Sequence, residues 1–331
     1  MRWPSLLAAL LPAAAAATAA AAATTQTMEA TAAADPALSL RVLTFNIRYA
    51  AAASTYERPW SVRGPLVIKT VAAAAAAAAA ANASAVVIGM QEVLDAQLQD
   101  IAAGLGEAGG EGWAHLGTGR DDGARAGEYC PLFYQPGRLA LLGGAARQLW
   151  LSPTPDVPSY WPGAGSRRYV LAAAFEDRAT GRRFVAANTH LDNVSGEARV
   201  AGVGIALGLV RELQAAWGGG EEGGTGLPAV LTGDFNSEPG DGAYEAVLAD
   251  GLLADAYAAA ADAARFGPYE TYTGFVPDQI PQVASRIDFV WLGPNGTDTW
   301  DLARYEVVDN VVDGVFMSDH RPVFVDISLK G

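Results

Sequence analysis

Six apolar segments of the chain end in, carry or directly follow a short cluster of amide, carboxylate and imidazole side chains. Each segment has the length of a β-strand, and the end of a strand is where loops present side chains to ligands. One such residue alone is usually a helix cap or turn residue, but turns do not explain six clusters of similar composition. The pattern therefore predicts one polar site built by several strands. The clusters are Asn46, Gln91-Glu92, Asn188-Thr189-His190, Gly233-Asp234-Phe235-Asn236, Arg286-Ile287-Asp288-Phe289 and Ser318-Asp319-His320.

The order of the predicted elements favours an α/β fold with layered sheets in one domain over a doubly wound parallel sheet, because several strands follow one another directly. A turn at Ala179-Thr180-Gly181 joins two of these strands as a hairpin. Helical spacing of apolar residues marks the helix over 196–217. We predict strands over 38–45, 85–90, 129–134, 139–151, 170–177, 183–189, 228–232, 287–292 and 322–329, and helices from about 61 through the alanine tract, over 196–217 and over 242–250.

Composition narrows the class of protein. Half of the 331 residues are hydrophobic (51%), which excludes disorder of the whole chain. The 22 basic and 36 acidic residues give a net charge of −14, which argues against binding of nucleic acid by a broad basic surface. An enzyme that reaches phosphate through bound cations remains compatible with this charge. The single cysteine, Cys130, can form neither an intrachain disulfide nor a zinc cluster.

The N-terminus is typical of an exported protein. Residues 1–23 combine a basic start, a short leucine core and an alanine-rich run, which predicts a secretory signal peptide. A membrane anchor is the alternative, which Pro12 and the weakly apolar alanines disfavour. We expect residues 24–36 to be a low-complexity spacer, 37–331 to be the folded domain, and the protein to be secreted without a membrane span. Three N-x-S/T sequons, at Asn82, Asn193 and Asn295, fit a glycoprotein.

The polar clusters suit hydrolysis of a phosphate ester with Mg²⁺ or Mn²⁺. Hard cations take oxygen ligands, often one or two carboxylates completed by water and substrate phosphate. A phosphodiester needs neutralisation of its oxygens, an activated water and a proton or cation for the leaving oxygen. Carboxylates, carboxamides and imidazoles supply these functions. Zinc is disfavoured because the sequence has no pair of histidines or cysteines at zinc-ligand spacing.

The ordered clusters resemble the motifs of the endonuclease/exonuclease/phosphatase superfamily, which includes DNase I, inositol polyphosphate 5-phosphatases, neutral sphingomyelinases and CCR4-type deadenylases. The similarity covers about residues 40–329. It implies a DNase I-like fold: a four-layer α/β/β/α sandwich of two packed mixed sheets with the site at one edge. The matching segments are Thr44-Phe45-Asn46-Ile47-Arg48, Gly89-Met90-Gln91-Glu92-Val93, Asn188-Thr189-His190-Leu191-Asp192, Leu231-Thr232-Gly233-Asp234-Phe235-Asn236, Ser285-Arg286-Ile287-Asp288-Phe289 and Ser318-Asp319-His320-Arg321-Pro322.

The resemblance also implies residue roles. It makes Glu92 the main ligand of Mg²⁺ or Mn²⁺, with Asn46 and Asp319 beside it. This set of one carboxamide and two carboxylates agrees with the hard-cation chemistry inferred above.

For the reacting groups, the resemblance implies that Asp234 and Asn236 orient or deprotonate the attacking water. His320 is expected to contact the scissile phosphate while Asp288 fixes the tautomer of its ring, as a carboxylate partner does. His190 is expected to face the phosphate from the other side.

Three further residues are weaker candidates. Glu128, in Gly127-Glu128-Tyr129-Cys130-Pro131, resembles the glutamate that, in the DNase I-like branch, pairs with the histidine matched here by His190. Arg48 and Arg168 are candidates for binding substrate, although arginines at strand ends are usually solvated or structural. His115 has no polar cluster around it and is predicted to be structural.

The expected activity is that of a secreted, monomeric phosphoesterase, first of all a nuclease similar to CCR4-type 3′–5′ RNA exonucleases, acting on single-stranded nucleic acid. The rival enzyme is a phosphatase or phospholipase-C-like enzyme acting on a sugar, inositol or sphingolipid phosphate, which the acidic composition favours slightly. A non-catalytic secreted binding protein on this scaffold is the alternative from another class. The complete set of acid, amide and imidazole side chains argues against this binding protein, because packing alone gives no reason to keep all of them.

Overall fold

Two mixed β-sheets, each of seven strands within the described residues, form the centre of the fold. The computed structural model describes residues 37–51, 55–81, 83–108, 112–218, 226–276 and 284–331, so the predicted signal peptide and spacer lie outside it, as does the sequon residue Asn82. The strands are β1 Ser39–Asn46, β2 Ala85–Gln91, β3 Ala114–Leu116, β4 Leu132–Tyr134, β5 Leu139–Leu141, β6 Arg147–Trp150, β7 Tyr169–Asp177, β8 Arg183–His190, β9 Ala229–Asp234, β10 Ala254–Asp255, β11 Arg265–Phe266, β12 Asp288–Gly293, β13 Trp300–Val307, β14 Val311–Val312, β15 Val315–Phe316 and β16 Val323–Leu329.

Each sheet combines parallel and antiparallel neighbours. The first sheet has the order β11-β13-β16-β1-β2-β4-β3, in which β1 is parallel to β2 and antiparallel to β16. The second sheet has the order β10-β12-β9-β8-β7-β5, with β6 also paired to β7. Here β8 is parallel to β9, and β12 is antiparallel to β9. The parallel pairs bring the carboxyl ends of neighbouring strands to one edge of each sheet.

In the part of the chain that the structure describes, four helices cover the outer faces of the two sheets, and a short fifth helix contributes Ala256 to the cluster between the sheets. Their bounds are α1 Trp60–Ala80, α2 Asp95–Glu107, α3 Gly196–Trp217, α4 Gly242–Asp250 and α5 Ala256–Ala259, with 3₁₀ turns at Asp262–Ala264 and Gly296–Asp298. The side chain of Ser195 caps α3 by accepting from the Ala198 N–H at 3.2 Å. Gly251 ends α4 in the left-handed conformation (φ 77°) that favours glycine.

Three buried clusters separate four layers. Residues of β1, β2 and β16 face residues of β7, β8, β9 and β12 in the central cluster, so the two sheets pack face to face. On the outer face of the second sheet, Val185 and Leu231 pack under α3 and α4 together with Val203 and Leu207. On the outer face of the first sheet, Ile88 packs with residues of α1 and α2. The predicted α/β/β/α sandwich is therefore confirmed.

Most predicted elements agree with the structure, and two differ. The single strand predicted over 139–151 is divided into β5 and β6, because Gly144 adopts a left-handed turn (φ 76°) between them. The strand predicted over 129–134 is shortened to β4, and Tyr129 forms only an isolated bridge to Val93. By length and composition alone, α1 and α3 are apolar enough to cross a membrane, yet each buries one face in the clusters above.

Candidate active site

Strand pairing brings the predicted polar clusters to one edge of the sandwich. Asn46, at the end of β1, pairs with Gln91 in the parallel register of β1 and β2. In the second sheet, Asp234 pairs with His190 on one side and with Asp288 on the other. The two sheets therefore present their polar strand ends at the same edge.

A buried hydrogen-bond network joins the two sheets directly below these strand ends. The Asn188 carboxamide on β8 donates to the carbonyls of Met90 (2.8 Å) and Pro131 (3.0 Å) of the first sheet. Its oxygen accepts from Gln91 Nε2 (2.7 Å) and from Thr232 Oγ1 (3.0 Å). Since all four partners are buried, the network fixes the distance between the sheets at the site.

The first of the two side-chain groups at this edge contains Asn46, Glu92 and Asp319. Asn46 Nδ2 donates to Glu92 Oε1 at 3.1 Å and to Asp234 Oδ2 at 2.9 Å, which links this group to the second. The other Glu92 oxygen, Oε2, accepts from the Tyr49 N–H at 3.1 Å. Glu92 has a left-handed backbone (φ 60°), a conformation that costs energy in a non-glycine residue and is often found at functional sites.

This group fits a divalent cation by its charge. Burial raises the pKa of Asp319 although His320 opposes the rise, and the negative charge of Glu92 adds to it. Two carboxylates that repel one another in a buried place are stabilised by a cation between them. A carboxamide and two carboxylates are ligands that Mg²⁺ and Mn²⁺ accept. Arg48 also reaches this group, with its Nη1 3.9 Å from Glu92 Oε2.

The second group contains Asp234, Asp288 and His320, whose ligand atoms lie within 4.8 Å of one another. His320 Nδ1 lies 2.8 Å from Asp288 Oδ2, and its Nε2 lies 3.7 Å from Asp234 Oδ2. Burial alone lowers the pKa of His320, but Asp288 and Asp234 outweigh burial and raise this pKa to about 10. The spacing would suit a metal ion, which would compete with the proton for the lone pair of the His320 ring. A cation at the first group leaves that proton in place, so we take the first group as the candidate cation site.

Asp234 lies between two histidines. Its Oδ2 is 3.4 Å from His190 Nε2 and 3.7 Å from His320 Nε2, and its Oδ1 accepts from the Asn236 N–H at 2.9 Å. Burial and the negative charge of Asp288 raise the pKa of Asp234 to about 7, although His320 opposes the rise. A carboxyl group with this pKa can accept a proton near neutral pH.

His190 has a partner that the sequence did not indicate. Arg168 Nη1 lies 2.7 Å from His190 Nδ1, whereas Glu128 Oε2 is 4.0 Å from the same nitrogen. Glu128 thus lies within ion-pair distance of His190, as the resemblance implied, but Arg168 is the nearer partner of Nδ1. Burial, followed by the positive charges of Arg168 and Arg120, lowers the pKa of His190 well below its usual value.

Glu128 instead lies between two arginines. Its Oε2 is 2.7 Å from Arg120 Nη1 and 3.8 Å from Arg168 Nη1. Burial raises the pKa of Glu128, although both arginines oppose this rise. Arg120 was not predicted from the sequence, because it lies in a glycine-rich loop far from any of the polar clusters. The one available signal was its position four residues after Leu116, where β3 ends, because loops that follow strands often carry site residues.

The groups open into one cavity of about 610 Å³. The exposed side chains of Glu238 and Asp241 belong to its wall. Asp192 accepts backbone N–H bonds from Gly165, Ser166, Val194 and Ser195, which fixes the loops that carry the lining residues Ser166 and Asn193. The sequon residue Asn193 accepts from Arg168 Nη2 at 3.2 Å, so a glycan on Asn193 would obstruct the cavity. Its lining comprises Arg48, Tyr49, Glu92, Arg120, Glu128, Ser166, Arg168, His190, Asn193, Asp234, Asn236, Glu238, Asp241, Tyr272, Ser285, Ile287, Asp319 and His320.

Other predicted residues lie near the cavity or away from it. Asn46 and Asp288 are fully buried behind the lining and act on it through Glu92, Asp234 and His320. His115 lies on β3 with its ring 5.4 Å from that of Phe133, and it is not among the residues that line the cavity.

Fold and site together define a phosphoesterase scaffold, and comparison with known proteins agrees. Residues 43–320 match the Endonuclease/Exonuclease/phosphatase family, so the chain belongs to that family. The members of this superfamily are phosphoester hydrolases. No curated protein matches the chain.

Solved structures give the same fold. An endonuclease/exonuclease/phosphatase from Bacteroides vulgatus is 32% identical, with a TM-score of 0.72 over 88% of this chain and 99% of its own. A mannosyl-6-phosphatase from Bacteroides thetaiotaomicron is 29% identical, with a TM-score of 0.69 over 87% of this chain and 99% of its own. The human Nocturnin catalytic domain is 19% identical (TM-score 0.62, covering 89% and 96%) and bears on the fold alone.

Proposed function

We propose that the protein is a Mg²⁺- or Mn²⁺-dependent hydrolase that cleaves small phosphate monoesters of sugars or related polyols. One observation carries the proposal: Asp234 lies between His190 and His320, and Asn46 connects it to the carboxylate group of Glu92 and Asp319. A water, a phosphate and a cation each find chemically suitable neighbours within this one arrangement.

The cation would be held by Glu92, Asp319 and Asn46. When bound, it would neutralise negative charge on the phosphate and on the leaving oxygen. Asn46 has a second task, because the same amide nitrogen donates to Asp234 and keeps that carboxylate oriented.

Asp234 and Asn236 are proposed to manage the attacking water. With a pKa of about 7, Asp234 is substantially ionised at neutral pH and can accept a proton from water as it attacks phosphorus in line. Asn236 has a left-handed backbone (φ 46°), and its N–H holds Asp234 Oδ1. The carboxylate is thus oriented on both oxygens, by Asn236 and by Asn46.

The two histidines are proposed to bind the phosphate, with positive charge from two arginines nearby. His320, protonated and held by Asp288, offers a charged donor, and His190 offers a neutral one. Arg48 and Arg168 line the same cavity and add positive charge. Fixed donors of this kind lower the barrier when they face the charge that develops in the transition state.

The preference for a small, hydroxylated leaving group has two supports. A structure 29% identical to the chain is that of a mannosyl-6-phosphatase. In addition, the exposed carboxylates of Glu238 and Asp241 lie in the cavity wall, where they would accept hydrogen bonds from sugar hydroxyls and repel further phosphates. An experiment distinguishes this proposal from three alternatives. They are the RNA exonuclease predicted from the sequence, an enzyme that hydrolyses inositol or sphingolipid phosphates, and a non-catalytic binding protein.

The experiment measures hydrolysis of a panel with Mg²⁺, with Mn²⁺ and with EDTA. The panel contains hexose 6-phosphates, 3′-labelled single-stranded RNA, inositol phosphates and sphingomyelin, and Asp234→Asn is the inactive reference. The proposal predicts EDTA-sensitive release of inorganic phosphate from a sugar phosphate that is lost in Asp234→Asn. Shortening of RNA without sugar-phosphate turnover would support the exonuclease, and no turnover of any substrate would support the binding protein.

We also propose export through residues 1–23, on the basis of their composition alone. Expression of the full chain in a secreting host, followed by N-terminal mass analysis of the protein in the medium, tests this. A mature N-terminus near residue 24 is expected, and retention of the intact chain in the cell would contradict export.

A further inference from the structure

We propose that Arg168 is a positioning residue that holds His190 in the tautomer with its proton on Nε2, so that His190 serves as a neutral hydrogen-bond donor and not as an acid or base. The inference rests on the proposed function only for the identity of the group that receives this hydrogen bond. The protonation pattern itself follows from contacts between side chains and can be measured without substrate.

The contact at Nδ1 determines the tautomer. Arg168 Nη1 lies 2.7 Å from His190 Nδ1, and Arg168 is buried, with only 8% of its side chain exposed. A guanidinium group has five N–H donors and no acceptor. The lone pair of Nδ1 must therefore face Arg168, and the proton of a neutral ring must lie on Nε2.

The contacts at Nε2 include a competitor. Asn236 Nδ2, also a donor, lies 3.1 Å from Nε2, and Asp234 Oδ2 lies 3.4 Å from it. A proton on Nδ1 would place two donors against each other at 2.7 Å, one of them a full cation. With the proton on Nε2, the opposing donor is the neutral Asn236 amide at 3.1 Å, and this amide also donates to Leu191 O at 3.1 Å. The second arrangement costs less, and Asp234 can accept from Nε2.

A second proton on His190 is disfavoured by the same contacts. Both ring nitrogens already face a donor, and a charged ring would touch the Arg168 cation directly. Burial and the charges of Arg168 and Arg120 lower the pKa of His190 well below its usual value, in agreement with this geometry.

Arg168 is itself held in place from two sides. Its Nη2 donates to Asn193 Oδ1 at 3.2 Å, and its Nη1 lies 3.8 Å from Glu128, which Arg120 fixes by an ion pair of 2.7 Å. Glu128 thus acts on His190 through Arg168. This arrangement differs from a carboxylate–histidine pair, in which the carboxylate would take the Nδ1 proton and make the ring more basic.

The test is nitrogen NMR of the full protein labelled with ¹⁵N-histidine, recorded near neutral pH with and without Mg²⁺. The chain has only three histidines, so His115→Gln and His190→Gln assign their signals by loss. We expect His190 to show an unprotonated Nδ1 and a protonated Nε2. A protonated Nδ1 in the wild-type protein, alone or together with a protonated Nε2, would by itself overturn the proposal.

Two arginine variants test the cause. Arg168→Met should lose the single tautomer and show exchange between two, with kcat lowered roughly 10²-fold as for loss of one preorganised donor. Arg168→Lys retains a donor and should recover much of the tautomer preference. Arg211→Met removes an exposed arginine that pairs with Asp250 and has no contact to His190 or to Arg168, and it should leave the tautomer unchanged. An unchanged tautomer in Arg168→Met would refute the role of Arg168, whereas inactivity of every form on all substrates would refute only the proposed function.

Discussion

At the scale of single residues, the site shows how surroundings give one residue type opposite properties. His320 has two carboxylates as neighbours, which raise its pKa to about 10. His190 has an arginine and an amide as neighbours, and its pKa falls well below the usual value. The sequence predicted that both histidines belong to the site. It could not predict their charges, because Arg168 and Glu128 reach His190 only after folding.

Asp288→Asn tests the charge on His320. Loss of the Asp288 carboxylate removes one of the two negative charges that hold the proton on His320 and leaves a neutral partner at its Nδ1. We expect kcat to fall by roughly 10²- to 10⁴-fold, the usual contribution of a positioned acid or base. Asp301→Asn, at an exposed aspartate of β13, is the control and should keep the wild-type rate. Equal rates for the two variants, measured as phosphate release, would remove His320 from the mechanism.

His115 gives a prediction on stability. Burial lowers the pKa of His115 in the folded protein, so the unfolded chain binds a proton near pH ~6.5 that the folded chain does not yet bind. The contribution of neutral His115 is therefore present above about pH 6.5 and is lost as the pH falls below that value. Urea unfolding near neutral and near pH ~5 should show a smaller loss of unfolding free energy in His115→Gln than in the wild type. Equal losses would show that His115 titrates alike in both states.

At the scale of elements, local patterns were sufficient for some segments and not for others. The helices over 196–217 and 242–250 were predicted with their observed bounds, because long apolar periodicity and glycine boundaries coincide there. Helix α2 was not predicted. Gly104 and Gly106 weaken it locally, and its stability comes from packing of Leu98, Ile101 and Leu105 against the first sheet.

Gly89 tests the close approach of the two sheets below the site. A Cβ at this position would lie 2.6 Å from Asn188 Oδ1 and closer still to Thr232 Oγ1. Gly89→Ala should therefore lower the free energy of unfolding by about 1–3 kcal/mol, the usual cost of overpacking, and lower kcat because the strand ends shift.

Gly208→Ala is the matched control for this change. Gly208 is exposed on α3, and a Cβ there would have no atom within 4 Å, so alanine should raise the free energy of unfolding by roughly 0.5–1 kcal/mol. Urea denaturation of both variants gives the comparison. If Gly89→Ala and Gly208→Ala have similar free energies of unfolding, the two sheets do not approach one another closely at Gly89.

At the scale of the whole molecule, the ordered motifs predicted both the sandwich and the residues that gather at its edge. The motifs could not predict the shape of the cavity, because the lining residues Arg120 and Ser166 come from loops without any motif. Substrate preference depends on that shape and on the net charge of −14, so membership of the family does not determine the substrate.

The net charge gives a prediction on salt dependence. A protein that binds nucleic acid by basic surface loses affinity steeply as salt rises. Here long-range repulsion dominates, so any kcat/KM on single-stranded RNA should rise when salt is raised from about 50 to about 200 mM. Rates on a hexose phosphate measured over the same range are the control for direct effects of salt. A steep fall with RNA would point to a basic nucleic-acid path on the surface.

We propose that a cation held by Glu92 makes this protein a phosphate-ester hydrolase. The most direct measurement is phosphate release from the best substrate of the panel as Mg²⁺ is titrated, for wild type, Glu92→Gln and the exposed control Glu107→Gln. We expect the wild type and Glu107→Gln to gain activity together and to lose it in EDTA, and Glu92→Gln to stay near background. Full activity in EDTA, or a wild-type Mg²⁺ response in Glu92→Gln, would contradict the claim.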